Sequence, residues 1–156
     1  MHLLSVFLSA AALFSHATTG FYLESKRAEI SDHGFATLND AMMTMGVGFS
    51  TRGTPAVNIT LDPKGYLENN FLLREVQPDV FKFLAGEDAP YLEDIVGPFT
   101  IQNGTRQLVY SGEQNLVWAV CEGSERYYQL LLALRERTLD VECLHIELLV
   151  VEEQSK

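Results

Sequence analysis

Through most of the chain, apolar and polar side chains alternate with the period of two that marks a half-buried strand. In residues 57–62, Val57, Ile59 and Leu61 share one face and Asn58, Thr60 and Asp62 the other. Pro63-Lys64-Gly65 then turns the chain into a segment at 66–68. Strands are also expected at 71–76 and 80–84, parted by Gln77-Pro78-Asp79, and at 99–101 and 108–110, parted by the hairpin signal Asn103-Gly104. Beyond them lie segments at 116–121 and 127–130, and a last strand over 143–151 with Leu144, Ile146, Leu148 and Val150 on one side. With segments at 20–23 and 42–49, the pattern predicts about ten to twelve short strands at regular spacing. The expected fold is a single antiparallel all-β domain over residues 20–151, with a trefoil-like barrel favoured over a two-sheet β-sandwich. Residues 130–139 are the exception: strong helix formers place Leu130, Leu131 and Leu134 on one helical face, and taken alone the segment reads equally well as a helix.

The chain opens differently. Residues 3–14 form an apolar run of twelve, too short to span a bilayer, which needs about 20 residues. Ser15 and Ala17 then place small side chains where a signal peptidase reads them, so residues 1–17 are expected to be a signal peptide despite the lack of an early Lys or Arg. No later segment is long and apolar enough for a span, and the polar tail at 152–156 lacks the hydrophobic stretch of a GPI signal. A secreted, unanchored protein, extracellular or held in a cell wall, is the expectation.

That compartment changes the reading of several side chains. Cys121 and Cys143 are the only cysteines, and an even pair in a secreted chain makes one disulfide the default, ahead of a catalytic or metal-ligating role. Asn58-Ile59-Thr60 and Asn103-Gly104-Thr105 are acceptor sequons, so Asn58 and Asn103 are expected N-glycosylation sites. Charge excludes partners: 11 Lys and Arg against 21 Asp and Glu give a net charge of −10, the wrong sign for nucleic acid or an anionic membrane.

Candidate chemistry is thin. Glu68 with Glu75, Glu87-Asp88 and Glu93-Asp94 are the carboxylate groupings that glycoside hydrolysis or Ca²⁺ binding would draw on. The alternative is solvated surface charge, in which case neutralising Glu87, Asp88, Glu93 and Asp94 together should change stability little. His33 is expected in an exposed loop and His145 outward on the last strand, without a zinc-ligand spacing. Met42-Met43-Thr44-Met45 reads as core filling. There is no nucleophile elbow, P-loop or dinucleotide fingerprint, and no catalytic residue, metal or cofactor is expected.

The order of several short motifs resembles that of a set of small secreted proteins of filamentous fungi. These motifs are Phe21-Tyr22-Leu23, Leu38-Asn39-Asp40-Ala41, Trp118-Ala119-Val120-Cys121, Tyr128-Gln129-Leu130 and Cys143-Leu144-His145-Ile146-Glu147-Leu148. Gly97-Pro98-Phe99-Thr100-Ile101-Gln102-Asn103-Gly104 also resembles a segment of fungal cell-wall and surface proteins. The resemblance implies an all-β secreted domain with a Cys121–Cys143 bridge, a strand at 127–132 and no established enzymatic activity. The chain departs from many relatives in having Glu122, Gly123 and Ser124 where they carry tryptophans. The expected function is that of a non-enzymatic extracellular or cell-wall-associated fungal protein, a monomer acting at a host or substrate surface through cell-wall polysaccharide or a host extracellular protein. Two alternatives stand beside it. One is a carbohydrate-binding module using Tyr66, Tyr91, Tyr110 or Tyr127; the other is a small acidic hydrolase.

Overall fold

The computed structural model describes residues 20–39, 45–51, 55–86, 88–123, 127–140 and 143–152. The expected signal peptide, Met42 to Thr44, Glu87 and the end of the polar tail lie outside these residues. Within them the chain is all-β, with two short helices. The strands are β1 (Phe21–Ser25), β2 (Thr37–Asn39), β3 (Met45–Ser50), β4 (Phe71–Gln77), β5 (Val80–Ala85), β6 (Phe99–Ile101), β7 (Leu108–Tyr110), β8 (Leu116–Glu122), β9 (Tyr127–Leu134), β10 (Leu144–His145) and β11 (Leu148–Glu152). The helices are α1 (Ala28–Ser31) and α2 (Arg135–Asp140).

Every strand pairing is antiparallel. A seven-stranded sheet runs β10-β8-β9-β3-β5-β4, with β2 added on β3, and curls into a half-barrel. The pairs β1–β11 and β6–β7 complete the architecture. Phe49, Phe83, Leu23, Leu73, Leu132 and Leu148 are fully buried in one continuous core. Trp118 ties the β6–β7 hairpin to the large sheet: its ring stacks on Phe99 with centroids 5.6 Å apart, and its Nε1 donates to the Leu108 carbonyl at 2.8 Å.

The curl is set where three strands trade partners. β3 pairs with β5 through Met45 and Gly46, then with β9 from Gly48 onward; β5 pairs with β9 only as far as Lys82, opposite Leu131. Val47, Phe83 and Leu130 are therefore the residues at which the ladders change over. The Gln129 side chain lies at that gap, its Nε2 donating towards the carbonyls of Val47 (3.0 Å), Leu130 (3.1 Å) and Phe83 (3.2 Å). The buried Tyr127 hydroxyl donates to Gln129 Oε1 at 3.1 Å, so the whole amide is engaged. Two glycines of β3 leave room for it. A Cβ at Gly46 would collide with Gln129 Oε1, and one at Gly48 with the Tyr128 carbonyl oxygen.

Residues 130–139 divide between the two readings: strand β9 continues to Leu134, and α2 begins at the next residue. The leucine run looks helical because β9 is covered on both faces, Leu130 and Leu132 by the main core, Leu131 and Ala133 by a smaller cluster with Val80, Ala119 and Cys143. A strand buried on both sides reads as a continuous apolar run. Two other expectations need correction. Residues 57–62 bury Val57, Ile59 and Leu61 as expected but form isolated bridges to Phe21 and Leu67, not a strand. The last strand breaks at Ile146-Glu147, leaving β10 on β8 and sending β11 to β1.

The junction gives a test. An unsatisfied buried acceptor costs about 1–3 kcal/mol, so Gln129→Leu should lower the unfolding free energy by about 2–5 kcal/mol in urea denaturation. Gln129→Glu should be worse at neutral pH, because a carboxylate would face carbonyl oxygens with no proton to donate. A Gln129→Leu protein as stable as the parent would show that the junction does not need the amide.

Candidate functional site

The two cysteines form the expected disulfide, with Cα atoms 4.4 Å apart. Val120 pairs with Leu144 and Ala119 with His145, and this register carries Cys121 and Cys143 to directly opposite positions where β10 joins β8. The bridge closes the loop that holds β9 and α2, and in the chain-entropy model a loop of this size contributes about 3 kcal/mol. Asn58 and Asn103 are both exposed. Asn103 sits at the tip of the β6–β7 hairpin, a wider turn than the Asn-Gly pair implies. Arg106 donates back to the Gln102 carbonyl at 3.0 Å, and both Gly104 and Arg106 have positive φ.

The carboxylates separate into different tasks. Asp62 Oδ1 accepts from the backbone N–H groups of Lys64 and Tyr66, each at 2.9 Å, and so shapes the turn at Pro63-Lys64-Gly65. Glu75 Oε1 accepts from the Asp79 N–H at 3.0 Å and braces the β4–β5 turn. Asp94 corrects the expectation of a uniformly solvated middle cluster: its side chain is only 4% exposed and forms a two-point pair with Arg74, at 2.8 and 3.0 Å. It also accepts from the Tyr91 N–H at 2.8 Å, while the Arg74 guanidinium lies 4.4 Å from the centre of the Tyr91 ring. The hydrogen bond from Arg74, then the Tyr91 N–H, hold the Asp94 carboxyl below its ordinary range against the opposing effect of burial. A carboxyl held ionised in this way is unsuited to general-acid work. Among the described residues, no three His, Cys, Asp or Glu side chains are grouped so as to hold a metal ion.

The other candidate residues are dispersed. His33 corrects the expectation of an exposed loop residue: it is half-buried and packs edge-on against Tyr128, centroids 5.1 Å apart, with Nδ1 buried and unpartnered. His145 is half-buried on β10, between Leu144 and Ile146, which both pack on the core. Of the four tyrosines, Tyr127 is buried, Tyr110 half-buried, and Tyr66 and Tyr91 exposed, with Arg74 over the Tyr91 ring. Burial first, then Glu113 and Tyr66, push the Tyr110 hydroxyl up and keep it protonated.

What the structure assembles is a groove of about 460 Å³ where the chain crosses from β10 to β11, walled by β7, β8 and the two residues that follow β1. Its lining is mixed: Val109, Tyr110, Val117 and Ile146 supply apolar surface, and Lys26, Arg27 and Arg135 supply positive charge. Arg27 is held in place by Glu29, which accepts from its Nε at 3.0 Å, and by the His145 carbonyl, which accepts from Nη1 at 3.1 Å. Lys26 lies 3.7 Å from Glu147. The Glu29 carboxyl is lowered first by its own backbone hydrogen bond and then by Arg27, so it stays charged beside the guanidinium. This groove is not legible in the sequence. Its one available signal was Lys26-Arg27, the only adjacent basic pair in an acidic chain.

Compared with protein-family models, with curated proteins and with solved structures, the chain matches none. No helix among the described residues is long and apolar enough to cross a membrane.

The Arg74–Asp94 pair makes stability depend on pH. A carboxyl whose pKa is lower folded than unfolded contributes stability that is present above the unfolded value, about 3.9 for Asp, and lost as pH falls through the folded one. Asp94→Asn should therefore cost about 1.5–3 kcal/mol at neutral pH, the range for hydrogen bonds to a charged group. Its deficit against the parent should narrow as the pH is lowered past about 4 in a series of urea melts. A deficit that stays constant into acid would mean that Asp94 does not act through its charge.

Proposed function

We propose that the protein is a secreted, non-enzymatic extracellular or cell-wall-associated domain of a fungus, acting at a host or substrate surface. The observation that carries this reading is the Cys121–Cys143 bridge, set between directly opposed strand positions. Such bridges persist in oxidising compartments and are rare in the cytosol. The two exposed sequons, the signal-like segment at 1–17 and the resemblance to small secreted fungal proteins support the same compartment. Support for a non-enzymatic role comes from the carboxylates. Asp62, Glu75 and Asp94 are each occupied in bracing a turn or a loop.

The carbohydrate-binding alternative has less behind it. Sugar rings stack on open aromatic faces, and of the four tyrosines only Tyr66 and Tyr91 are exposed, the latter with a guanidinium over its ring.

Expression of the full chain in a filamentous fungus, followed by separation of medium, wall and cell fractions, tests the reading. The protein should appear in medium or wall, with no thiol open to alkylation. Retention inside the cell with two free thiols would contradict it.

A further inference from the structure

We propose that the groove at the β10–β11 crossing is a binding site for a small amphiphilic organic anion, with its apolar body on the β7–β8 wall and its carboxylate or sulfonate at Arg27 and Lys26. This goes beyond the extracellular reading and does not depend on it.

Three observations carry the inference. The first is volume: about 460 Å³ lies within the range of about 300–1,000 Å³ that small-molecule sites occupy. The second is the distribution of charge. The chain has 11 Lys and Arg among 156 residues and a net charge of −10, yet three of those cations, Lys26, Arg27 and Arg135, line this one groove, where Glu147, beside Lys26, is the one carboxylate among the described lining residues and Glu29 pairs with Arg27 from outside the lining. The third is the state of Arg27. Its Nε and Nη1 are committed to Glu29 and to the His145 carbonyl, which fixes the plane of the guanidinium, while Nη2 has no partner among the described residues. A guanidinium fixed in place with donors to spare is prepared for an oxyanion, because little side-chain freedom remains to be lost on binding.

The apolar part of the lining defines the rest of the ligand. Val109, Tyr110 and Val117 are half-buried, so each keeps surface that an occupant would cover. Trp118, also in the lining, is closed off, its indole N–H already given to the Leu108 carbonyl. Val109 and Val117 thus offer contact area without donors, which suits an apolar body on that wall. A purely inorganic anion would leave that surface uncovered. A neutral apolar molecule would leave the Arg27 donors unused. The overall negative charge also repels anions at long range, so affinity has to come from contacts inside the groove.

Two dyes differing in charge separate these cases. Anilinonaphthalene sulfonate carries an apolar body and a sulfonate; N-phenyl-1-naphthylamine has the same body without the charge. Titrated into the purified protein, the sulfonate should bind saturably at one site, and the Lys26→Gln/Arg27→Gln double variant should weaken it at least fivefold. The neutral dye should bind parent and double variant alike, and Lys64→Gln, which removes a cation outside the groove lining, should change neither. Val117→Glu, which places a carboxylate in the lining, should abolish sulfonate binding while the melting temperature reports that the fold is kept. Displacement by octanoate or by 2-naphthoate, whichever is the stronger, distinguishes an aliphatic from an aromatic occupant. Absence of saturable sulfonate binding, equal affinity in the double variant, or displacement by neither acid would overturn the proposal.

Discussion

Three strands of the large sheet exchange partners around a single side-chain amide, that of Gln129, and the curl of the sheet depends on this exchange. A flat antiparallel sheet would pair β9 with one neighbour on each edge. Here one edge of β9 is shared between β3 and β5, and the carbonyls of Val47 and Phe83 fall where neither ladder reaches. Backbone acceptors left bare in a protein interior are costly, so the change of partner is possible only if something donates to them. Gln129 does so, Tyr127 fixes the orientation of its amide, and Gly46 and Gly48 let the strands come close enough for it to reach.

The remaining architecture follows from where that junction leaves β9. With β3 and β5 on one edge, its other edge takes β8 along seven residue pairs, and β8 in turn takes β10. The disulfide secures the last of these pairings at the point where β10 is only two residues long and weakest. Beyond it the chain leaves the sheet to pair with β1, and the crossing opens the groove beside Arg27. Staple and groove are thus neighbours for a structural reason: the strand that needs holding is the one about to depart.

Local pattern made the all-β class legible, because alternation and turn residues are written in adjacent positions. The strands expected at 80–84 and 116–121 needed nothing more, whereas the Cys121–Cys143 bridge was legible from an even pair in a chain read as secreted. What was hidden depends on residues far apart in the chain. Arg74 and Asp94 are 20 positions apart, and nothing local marks the Asp94 side chain as buried where Asp88 and Glu93 are exposed. Residues 57–62 alternate as a strand does, yet whether a ladder forms depends on a neighbour the segment cannot specify. The leucines of β9 were ambiguous because burial on both faces erases the period. Gln129 stood in plain view between Tyr128 and Leu130, but its role lies in three carbonyls from three strands. The groove was the least legible feature, since Lys26 and Arg135 meet only through the fold.

The state of the Gln129 side-chain amide in solution tests the central claim most directly. In a ¹⁵N-labelled protein its two Nε2 protons should give separate, dispersed resonances that exchange slowly with solvent, in step with the amides of β9. A Gln129 amide with the shifts and rapid exchange of a free glutamine would contradict the account, because the strand junction would then be held by something else.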